Sequence, residues 1–448
     1  MEPLPAADAG TVLRIVATND MGAAFVGVPT SWGRSGTCAG IAELIERERE
    51  RRPTVWLDAG DLTVGAAQPL AGEARWDDVA RLPIAAAAVG NHELDEGLPA
   101  LRRAAARLPF PLLCANADLG LPASAVVETA AGPLGVIGLT HPDVHRHVEA
   151  PAPHEGRPER IAGLARELRA GGARWVVALL HDGATWWPHE AGIGTRAERL
   201  HRLAAPWAGA VDVVLGGHTL GAWTGELAGT PAGHAYPFAS TVLVADLAAP
   251  PRPAAIRGVV PVPAVRPADA SPAMHALDAA AGRVVAESAV NWLSRTGAPH
   301  YLPGLVAEAM RRATGADAGL APGGQCANQA PLDGAVAAVR AGPVTELDLW
   351  RLFNYADDEL VVAALRPGEL RAAVAAHDAT VAPDARPGDD VWWAWCRMPA
   401  RASAEGDEPR TVAVVPWVAP RLAEWLGREV ETERAGVGAR EALRRALS

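Results

Sequence analysis

Short apolar runs alternate with amphipathic stretches through the first half of the chain, and this alternation restricts the fold more than any other feature. Between the runs stand helical patterns such as IAELIERERERR (41–52) and ERIAGLARELRAGG (159–172). Strands that alternate with helices are typical of a layered α/β domain. Seven runs are predicted as strands: 11–19, 54–61, 84–92, 112–116, 135–140, 175–183 and 211–218.

The 448 residues are enough for more than one hydrophobic core. Proline accumulates between residues 250 and 272, which indicates a boundary there. We predict a first domain over 1–262, a linker over 263–290 with a helix at 272–288, and a smaller second α/β domain over 291–448. The second half has helical and strand patterns of its own at 304–315 and 357–377.

Composition excludes several classes of partner. The net charge is −11 and no block of basic residues is present, so polymeric nucleic acid is not the expected partner. No apolar run approaches the ~18–20 residues of a membrane span. The N-terminal MEPLPAADAG lacks the basic and apolar regions of a signal peptide, and we therefore predict a cytoplasmic protein. The four cysteines are far apart and predict no disulfide framework.

Polar side chains of the types that bind metals follow the apolar runs of the first domain. In α/β sheets, ligands bind at the carboxyl ends of the strands. Each residue alone has a simpler interpretation, such as a turn cap, a helix cap or a hydrogen-bonded core histidine. Five successive strand ends together favour a functional site, with the candidates Asp20, Asp61, Asn91 with His92, His181 and His218.

The order of these motifs resembles the calcineurin-like metallophosphoesterases, and within them the two-domain 5′-nucleotidase and 2′,3′-cyclic-nucleotide phosphodiesterase group. That family has D-x-H, G-D, G-N-H-E, H-x-G and G-H-x-H, and this chain has NDMG, AGD, GNHELD, HDG and GHTL. The resemblance implies an α/β (α+β layered) fold. An N-terminal metallophosphoesterase β-sandwich flanked by helices would precede a C-terminal substrate-binding domain of 5′-nucleotidase type.

The resemblance also implies the metal ligands. The family holds two ions, and the ligands implied for the second ion are all present: Asp61, Asn91, His181 and His218. The first ion would keep Asp20 and share Asp61, but Gly22 and Leu220 stand where the family has its other two histidines. His141 and His234 are the candidate replacements, although no spacing supports either. We therefore expect one divalent transition metal, Mn, Zn, Fe or Co.

His92 and Asp95 have the spacing of the family's catalytic histidine and the aspartate that orients it. A carboxylate beside an imidazole fixes its tautomer and raises its pKa. The resemblance therefore implies that this pair is catalytic. The alternative is a histidine at a helix start with an aspartate in the first turn, which is common.

The second domain departs further from the family pattern. Where the family has a substrate-contacting arginine after two glycines, this chain has GGQC, and the family's asparagine position is acidic, either Asp358 or Glu359. Aromatic residues in LFNYADDEL would stack on a base, or they belong to the core. The candidate substrate-binding residues are Gly323, Gly324, Gln325, Phe353 and Tyr355.

Three functions are compatible with these residues. The favoured one is metal-dependent hydrolysis of a phosphoester in a nucleotide-like small molecule, with a single ion and help from His92 and Asp95. The alternative is a repurposed metalloenzyme with non-phosphatase chemistry on a nucleoside-like or other polar metabolite, since the substitutions at Gly22, Leu220 and Gln325 all remove cationic stabilisation of phosphate. A non-catalytic binding protein is the third.

Overall fold

The computed structural model describes residues 4–30, 33–141, 158–189, 192–219, 221–267, 269–294, 298–322, 338–353, 357–373, 393–395 and 408–448. It describes the backbone alone for 28–30, 33–35, 185–189, 192–196 and 393–395. The contacts divide the chain into two compact units. Unit 1 comprises Met1–Trp186 and Thr195–Leu277, and unit 2 comprises Trp187–Gly194 and Asp278–Ser448.

The helices of the described residues are α1 (Cys38–Arg49), α2 (Ala67–Ala71), α3 (Ala74–Val79), α4 (Gly97–Arg107), α5 (Pro158–Ala170), α6 (Glu198–Ala208), α7 (Pro272–Gly282), α8 (Leu302–Thr314), α9 (Glu346–Leu352), α10 (367–373), α11 (Val418–Leu426) and α12 (Ala439–Leu447). A 3₁₀ turn covers His92–Leu94. None of these helices has both the length and the apolar character that crossing a membrane requires.

The strands are β1 (Thr11–Thr18), β2 (Val28–Thr30), β3 (Gly33–Ser35), β4 (Thr54–Asp58), β5 (Ile84–Ala88), β6 (Leu112–Leu113), β7 (Ser124–Val127), β8 (Leu134–Leu139), β9 (Trp175–Leu180), β10 (Thr185–His189), β11 (Gly192–Arg196), β12 (Val213–Gly216), β13 (Trp223–Leu227), β14 (Thr230–His234), β15 (Thr241–Ala248), β16 (Ala255–Pro261), β17 (Val284–Ser288), β18 (Trp292–Leu293), β19 (Ala318–Pro322), β20 (Ala338–Val339), β21 (Gly342–Thr345), β22 (Glu359–Leu365), β23 (Trp393–Trp395), β24 (Arg410–Val414) and β25 (Thr432–Gly438). All seven strands predicted from the apolar runs are present.

Unit 1 contains two six-stranded sheets. The first has the order β16–β15–β1–β4–β5–β6, and β1, β4, β5 and β6 are parallel in it. The second has the order β13–β14–β12–β9–β8–β7, and β8, β9 and β12 are parallel. Parallel strands of one sheet end at the same edge, so each sheet presents several carboxyl-terminal loops together.

One apolar core lies between the two sheets. Leu13 and Ile15 of β1 pack in the same cluster as Val177 of β9 and Leu215 of β12, and all four are almost fully buried. Fully burying one such side chain stabilises the fold by ~1.5–3 kcal/mol. A second cluster places α5 and α6 against the outer face of the second sheet. The predicted β-sandwich flanked by helices is therefore confirmed.

Unit 2 has a five-stranded sheet of the order β23–β19–β24–β22–β25 and a core of its own. Residues from α8, such as Val306 and Met310, are fully buried against this sheet. The predicted helix over 272–288 is shorter than expected, because α7 ends at Gly282. Val284–Ser288 instead forms β17, which pairs with β21. Two consecutive valines favour an extended backbone there.

Candidate metal centre

Three of the predicted site residues that follow strands of unit 1 have a left-handed backbone conformation. Asp20 follows β1, Asp61 follows β4 and His218 follows β12, with φ angles of +48°, +60° and +66°. A non-glycine residue in this region costs of order 1–3 kcal/mol and persists only where the surrounding structure imposes it. The fold therefore holds these three side chains in place at the expense of local backbone energy, as functional sites commonly do.

Four of the predicted metal ligands converge on one point. The ligand atoms of Asp61, His181 and His218 all lie within 4.8 Å of one another. Asn91 lies between the histidines, with its Oδ1 3.1 Å from His181 Nε2 and 2.8 Å from His218 Nδ1. His181 Nε2 is 3.2 Å from an oxygen of Asp61. These four residues, called the ligand group below, are the set implied for the second ion.

The hydrogen bonds of His181 show that the ligand group fits a cation. Its Nδ1 lies 2.7 Å from the carbonyl oxygen of Ala59, which only accepts, so Nδ1 carries the proton. The Nε2 lone pair of a neutral ring then faces two oxygen acceptors, from Asp61 and Asn91. Burial lowers the pKa of His181, but the negative charges, led by Asp61, outweigh it and raise the pKa to about 10. The same charges that favour a proton on Nε2 would favour a metal ion in its place.

The separations also suit a shared metal ion. Ligand atoms ~2.0–2.2 Å from one ion lie roughly 2.8–3.6 Å apart in octahedral or tetrahedral geometry. The distances from His181 Nε2 to Asn91 and to Asp61 are 3.1 Å and 3.2 Å. Histidines that bind metals commonly donate their other N–H to a carbonyl, as His181 does to Ala59. The residues present therefore fit a divalent ion.

Asp20 lies beside the ligand group and contacts its backbone. Its Oδ2 accepts hydrogen bonds from the backbone N–H of His218 at 2.7 Å and from the side chain of Asn19 at 2.8 Å. Burial raises the pKa of Asp20 to about 7 despite the opposing charge of His181, and repulsion from Asp61 adds to the rise. In this arrangement Asp20 orients the His218 loop.

The region around Gly22 is closely packed. Gly22 has a φ of +60°, and a Cβ there would lie 2.7 Å from the carbonyl oxygen of Val64 and 2.9 Å from the Phe238 ring. The N–H of Phe238 donates to the carbonyl oxygen of Asp20 at 2.8 Å. A larger side chain at Gly22 would therefore displace both neighbours. Leu220, at the second altered position, lies outside the described residues.

His92 and Asp95 form the predicted pair. His92 Nδ1 lies 2.8 Å from Asp95 Oδ2, and the His92 side chain is 31% exposed. The backbone N–H of His92 donates to Asp61 Oδ1 at 2.9 Å, which ties the pair to the ligand group. Burial lowers the pKa of His92, but the charges of Asp95 and Asp61 outweigh it and raise the pKa to about 10. The neighbouring carboxylates therefore favour the protonated form of His92.

The part of the chain that carries this site resembles a known family. Residues 13–222 match the family model of calcineurin-like phosphoesterases. This part of the chain is a calcineurin-like phosphoesterase domain. The matched segment is accordingly a domain of the metallophosphoesterase-like hydrolase type. No curated protein sequence matches the chain.

Solved structures share the fold of the whole chain. A 5′-nucleotidase precursor from Thermus thermophilus is 21% identical with a TM-score of 0.73, covering 97% of this chain and 96% of that one. A 5′-nucleotidase from Candida albicans is 9% identical with a TM-score of 0.71, covering 100% and 99%. The sulfate thiohydrolase SoxB of Thermus thermophilus is 16% identical with a TM-score of 0.69, covering 99% and 95%. The two-domain fold is thereby established.

Glu93 is a residue of the phosphoesterase domain that sequence reasoning missed. It is almost fully buried and accepts backbone hydrogen bonds from Asp61, Leu62 and Gly90 at 2.9, 2.8 and 2.7 Å. Burial raises the pKa of Glu93 to about 7, and the nearby charge of Asp61 adds to the rise. Glu93 holds the loop that carries Asp61. Its place directly after the Asn-His pair in GNHELD was the available signal.

Three further polar residues of the phosphoesterase domain lie beside His218. His141, at the end of β8, stacks on the His218 ring with a centroid distance of 3.9 Å and an interplanar angle of 25°. Arg199 Nη2 lies 3.2 Å from His141 Nε2, and Arg199 Nη1 donates to Asp182 Oδ1 at 2.6 Å. Sequence reasoning weighed His141 only as a replacement ligand and did not single out Asp182 or Arg199, since the contact joins three distant segments.

His234, the other candidate replacement, is held by a different contact. Its Nε2 accepts the backbone N–H of Ala184 at 3.1 Å, and burial lowers the pKa of His234 to about 4. A nitrogen that accepts this hydrogen bond has no lone pair left for a metal. His234 therefore contributes to the structure of the loop and not to the ligand group.

The candidate substrate residues of unit 2 are only partly described. Phe353 is 0% exposed and packs within the core, so it offers no face for stacking on a base. Asp358 caps α12 and pairs with Arg440, while Glu359 pairs with Arg434. Both acidic residues are thus engaged within their own unit. The other candidates, Gly323, Gly324, Gln325 and Tyr355, lie outside the described residues.

Proposed function

We propose that the protein hydrolyses a phosphoester in a nucleotide-like small molecule with one divalent transition metal. The convergence of Asp61, Asn91, His181 and His218 is the observation that carries this proposal. Mixed carboxylate, amide and imidazole ligands suit Mn, Fe, Co or Zn. When bound, such an ion polarises the phosphoryl group and lowers the pKa of water.

The residues of the chain perform the remaining steps. Asp61, Asn91, His181 and His218 would hold the ion, and Glu93 fixes the Asp61 loop through three backbone hydrogen bonds. His92 Nδ1 faces Asp95, so Nε2 is the nitrogen left to donate a proton to the leaving oxygen. General acid catalysis of this kind contributes ~10²–10⁴-fold.

The packing at Gly22 supports a single ion. A histidine at this position would have to displace the Val64 carbonyl and the Phe238 ring. The carboxylate Oδ2 of Asp20 already accepts two hydrogen bonds from the protein. Both observations argue that a second ion has no complete ligand set beside the ligand group.

The nucleotide-like substrate rests on the fold shared with two 5′-nucleotidases. Gly323, Gly324, Gln325 and Tyr355 remain the proposed substrate contacts, whereas the buried Phe353 no longer supports that role.

Metal content and turnover test the proposal together. The full chain would be loaded separately with Mn, Zn, Fe and Co, its metal content measured by elemental analysis, and its activity assayed on nucleoside monophosphates and 2′,3′-cyclic nucleotides. We expect one ion per chain and turnover with at least one metal. His181→Ala should lose both the bound ion and the turnover. His275→Ala, which changes an exposed histidine of α7, should keep both.

Three other outcomes would contradict parts of the proposal. Two ions per chain would exclude the single-metal site. A bound ion without cleavage of any phosphoester would favour the repurposed metalloenzyme, and turnover unchanged in His92→Ala would exclude the catalytic role of His92.

A further inference from the structure

Asp182 is a buried carboxylate that stability alone does not explain. Its side chain is 0% exposed, and its Oδ1 accepts from Arg199 at 2.6 Å and from the Gly183 backbone at 2.8 Å. Its Oδ2 is also buried and has no hydrogen-bond partner among the described residues. Burying a carboxylate costs several kcal/mol, and a half-satisfied one costs more. What this placement achieves is a fixed orientation of Arg199.

Arg199 retains donors for a ligand. A guanidinium has five N–H groups, and the described contacts of Arg199 use one from Nη1 and one from Nη2. Although Asp182 anchors it, the Arg199 side chain is still 40% exposed. The Arg199 guanidinium is therefore held through Nη1 while the side chain stays accessible to solvent.

The anchored guanidinium lies next to the ligand group. Arginine only donates, so the 3.2 Å contact places an accepting His141 Nε2 against Arg199. The His141 ring in turn stacks at 3.9 Å on His218, a member of the ligand group. One imidazole ring therefore separates the fixed positive charge from the residue that would bind the metal.

An anionic substrate needs such a charge here. The ligand group contains the carboxylate of Asp61 and contacts those of Asp20 and Glu93, and all three are buried. The charge of a single divalent ion does not balance both these carboxylates and the two negative charges of an approaching dianion. The planar fork of arginine matches the oxygens of a phosphate or carboxylate and always carries its charge.

We propose that Arg199, oriented by Asp182, binds the anionic group of the substrate beside the metal site. The phosphoryl group as the bound anion rests on the proposed function. The binding of an oxyanion by Arg199 does not depend on turnover. Arg199 is the binding residue, and Asp182 is a positioning residue that acts through it.

Binding of inorganic phosphate tests the proposal. The metal-loaded full chain would be titrated with phosphate by calorimetry as wild type, Arg199→Gln, Arg199→Lys, Asp182→Asn and Arg202→Gln. Arg202 is an exposed arginine on the same helix, α6, and provides the matched control. We expect Arg199→Gln to weaken phosphate binding about 10- to 100-fold, the usual range for a lost charge-assisted hydrogen bond. Arg199→Lys and Asp182→Asn should weaken it less, and Arg202→Gln should not change it.

Several results would overturn the proposal. Phosphate affinity equal in Arg199→Gln and Arg202→Gln would do so, as would a wild type that binds no phosphate. Loss of metal from Arg199→Gln would also do so, because Arg199 would then support the metal and not the anion. If Arg199→Gln does not fold, an unchanged affinity in Arg199→Lys and Asp182→Asn decides against it.

Turnover measured in parallel separates this inference from the proposed function. A wild type that binds phosphate through Arg199 but cleaves no phosphoester would contradict the proposed function alone. Normal phosphoester cleavage with unaltered phosphate binding in Arg199→Gln would contradict this inference alone.

Discussion

At the scale of single residues, the proposed acid His92 is joined to the metal site through its own backbone. Its backbone N–H binds Asp61 while its side chain binds Asp95, so one residue bridges the ligand group and the orienting carboxylate. Residues that act in this way affect rate more than metal binding, because their side chains do not belong to the ligand group.

His92→Ala should lower kcat by ~10²–10⁴-fold and leave one metal ion per chain. The reason is that the change removes the proton donor but keeps the backbone N–H that binds Asp61. Steady-state kinetics and elemental analysis on the same preparation check both parts. His275→Ala serves as the control, and a His92→Ala variant that loses its metal would contradict the assignment.

Gly22→Ala should destabilise the protein by ~1–3 kcal/mol, because the new Cβ meets the Val64 carbonyl at 2.7 Å with a φ of +60°. Chemical denaturation of the metal-free protein measures the change. Gly163→Ala, in the interior of α5 with its nearest neighbour at 3.9 Å, should instead stabilise by roughly 0.5–1 kcal/mol. Equal effects of the two substitutions would argue against the close packing at Gly22.

At the scale of elements, the strands were predictable because each apolar run of unit 1 is buried on both faces. β1 and β9 begin where the sequence predicted, at Thr11 and Trp175. The end of α7 was not predictable from helical periodicity, since β17 forms only through its pairing with β21. Distant pairing of this kind does not appear in a local pattern.

The candidate site likewise contains residues that the sequence predicted and residues that it did not. The motifs predicted Asp61, Asn91, His181 and His218, because each follows a recognisable strand. Arg199 was not predictable, since its proposed role depends on contacts with Asp182 and His141, which follow β9 and β8.

Helix α8 provides an element-scale test of electrostatics. Hydrogen bonds from Arg311 lower the pKa of Glu308 to about 2, against the opposing effect of burial and with further help from Arg312. A carboxylate with a depressed pKa stabilises the folded state at pH values above its ordinary pKa of 4.5. This stabilisation is lost as the pH falls towards about 2. Glu308→Gln should cost no more than ~1 kcal/mol at neutral pH, since the pair is near the surface.

Urea denaturation at neutral pH and in the acid range checks this expectation. The difference between Glu308→Gln and wild type should shrink as the pH falls through that window, and high salt should reduce it. Glu287→Gln, at an exposed position of β17, controls for the loss of one carboxylate. A stability difference between Glu308→Gln and wild type that grows as the pH falls would contradict the depressed pKa of Glu308.

At the scale of the whole molecule, the ligand group belongs entirely to unit 1. A metal that binds the folded state alone stabilises it by about 2.7 kcal/mol at 100 times its Kd. Addition of the preferred metal should therefore raise the Tm for unfolding of unit 1 by several degrees, and a chelator should reverse the shift.

Differential scanning calorimetry with and without metal measures this shift. Asn91→Ala should reduce it, because Asn91 Oδ1 contacts both histidines of the ligand group. The exposed His275→Ala should keep it. A metal-induced shift of equal size in Asn91→Ala and wild type would exclude Asn91 as a ligand.

The left-handed backbones of Asp20, Asp61 and His218 have a consequence for engineering. Glycine adopts this geometry without a steric penalty, so the most heat-tolerant version of each turn would be the one that can no longer do any chemistry. A screen that selects variants of this protein for robustness alone would drift towards inert scaffolds, and only a selection that also demands catalysis would retain all three side chains.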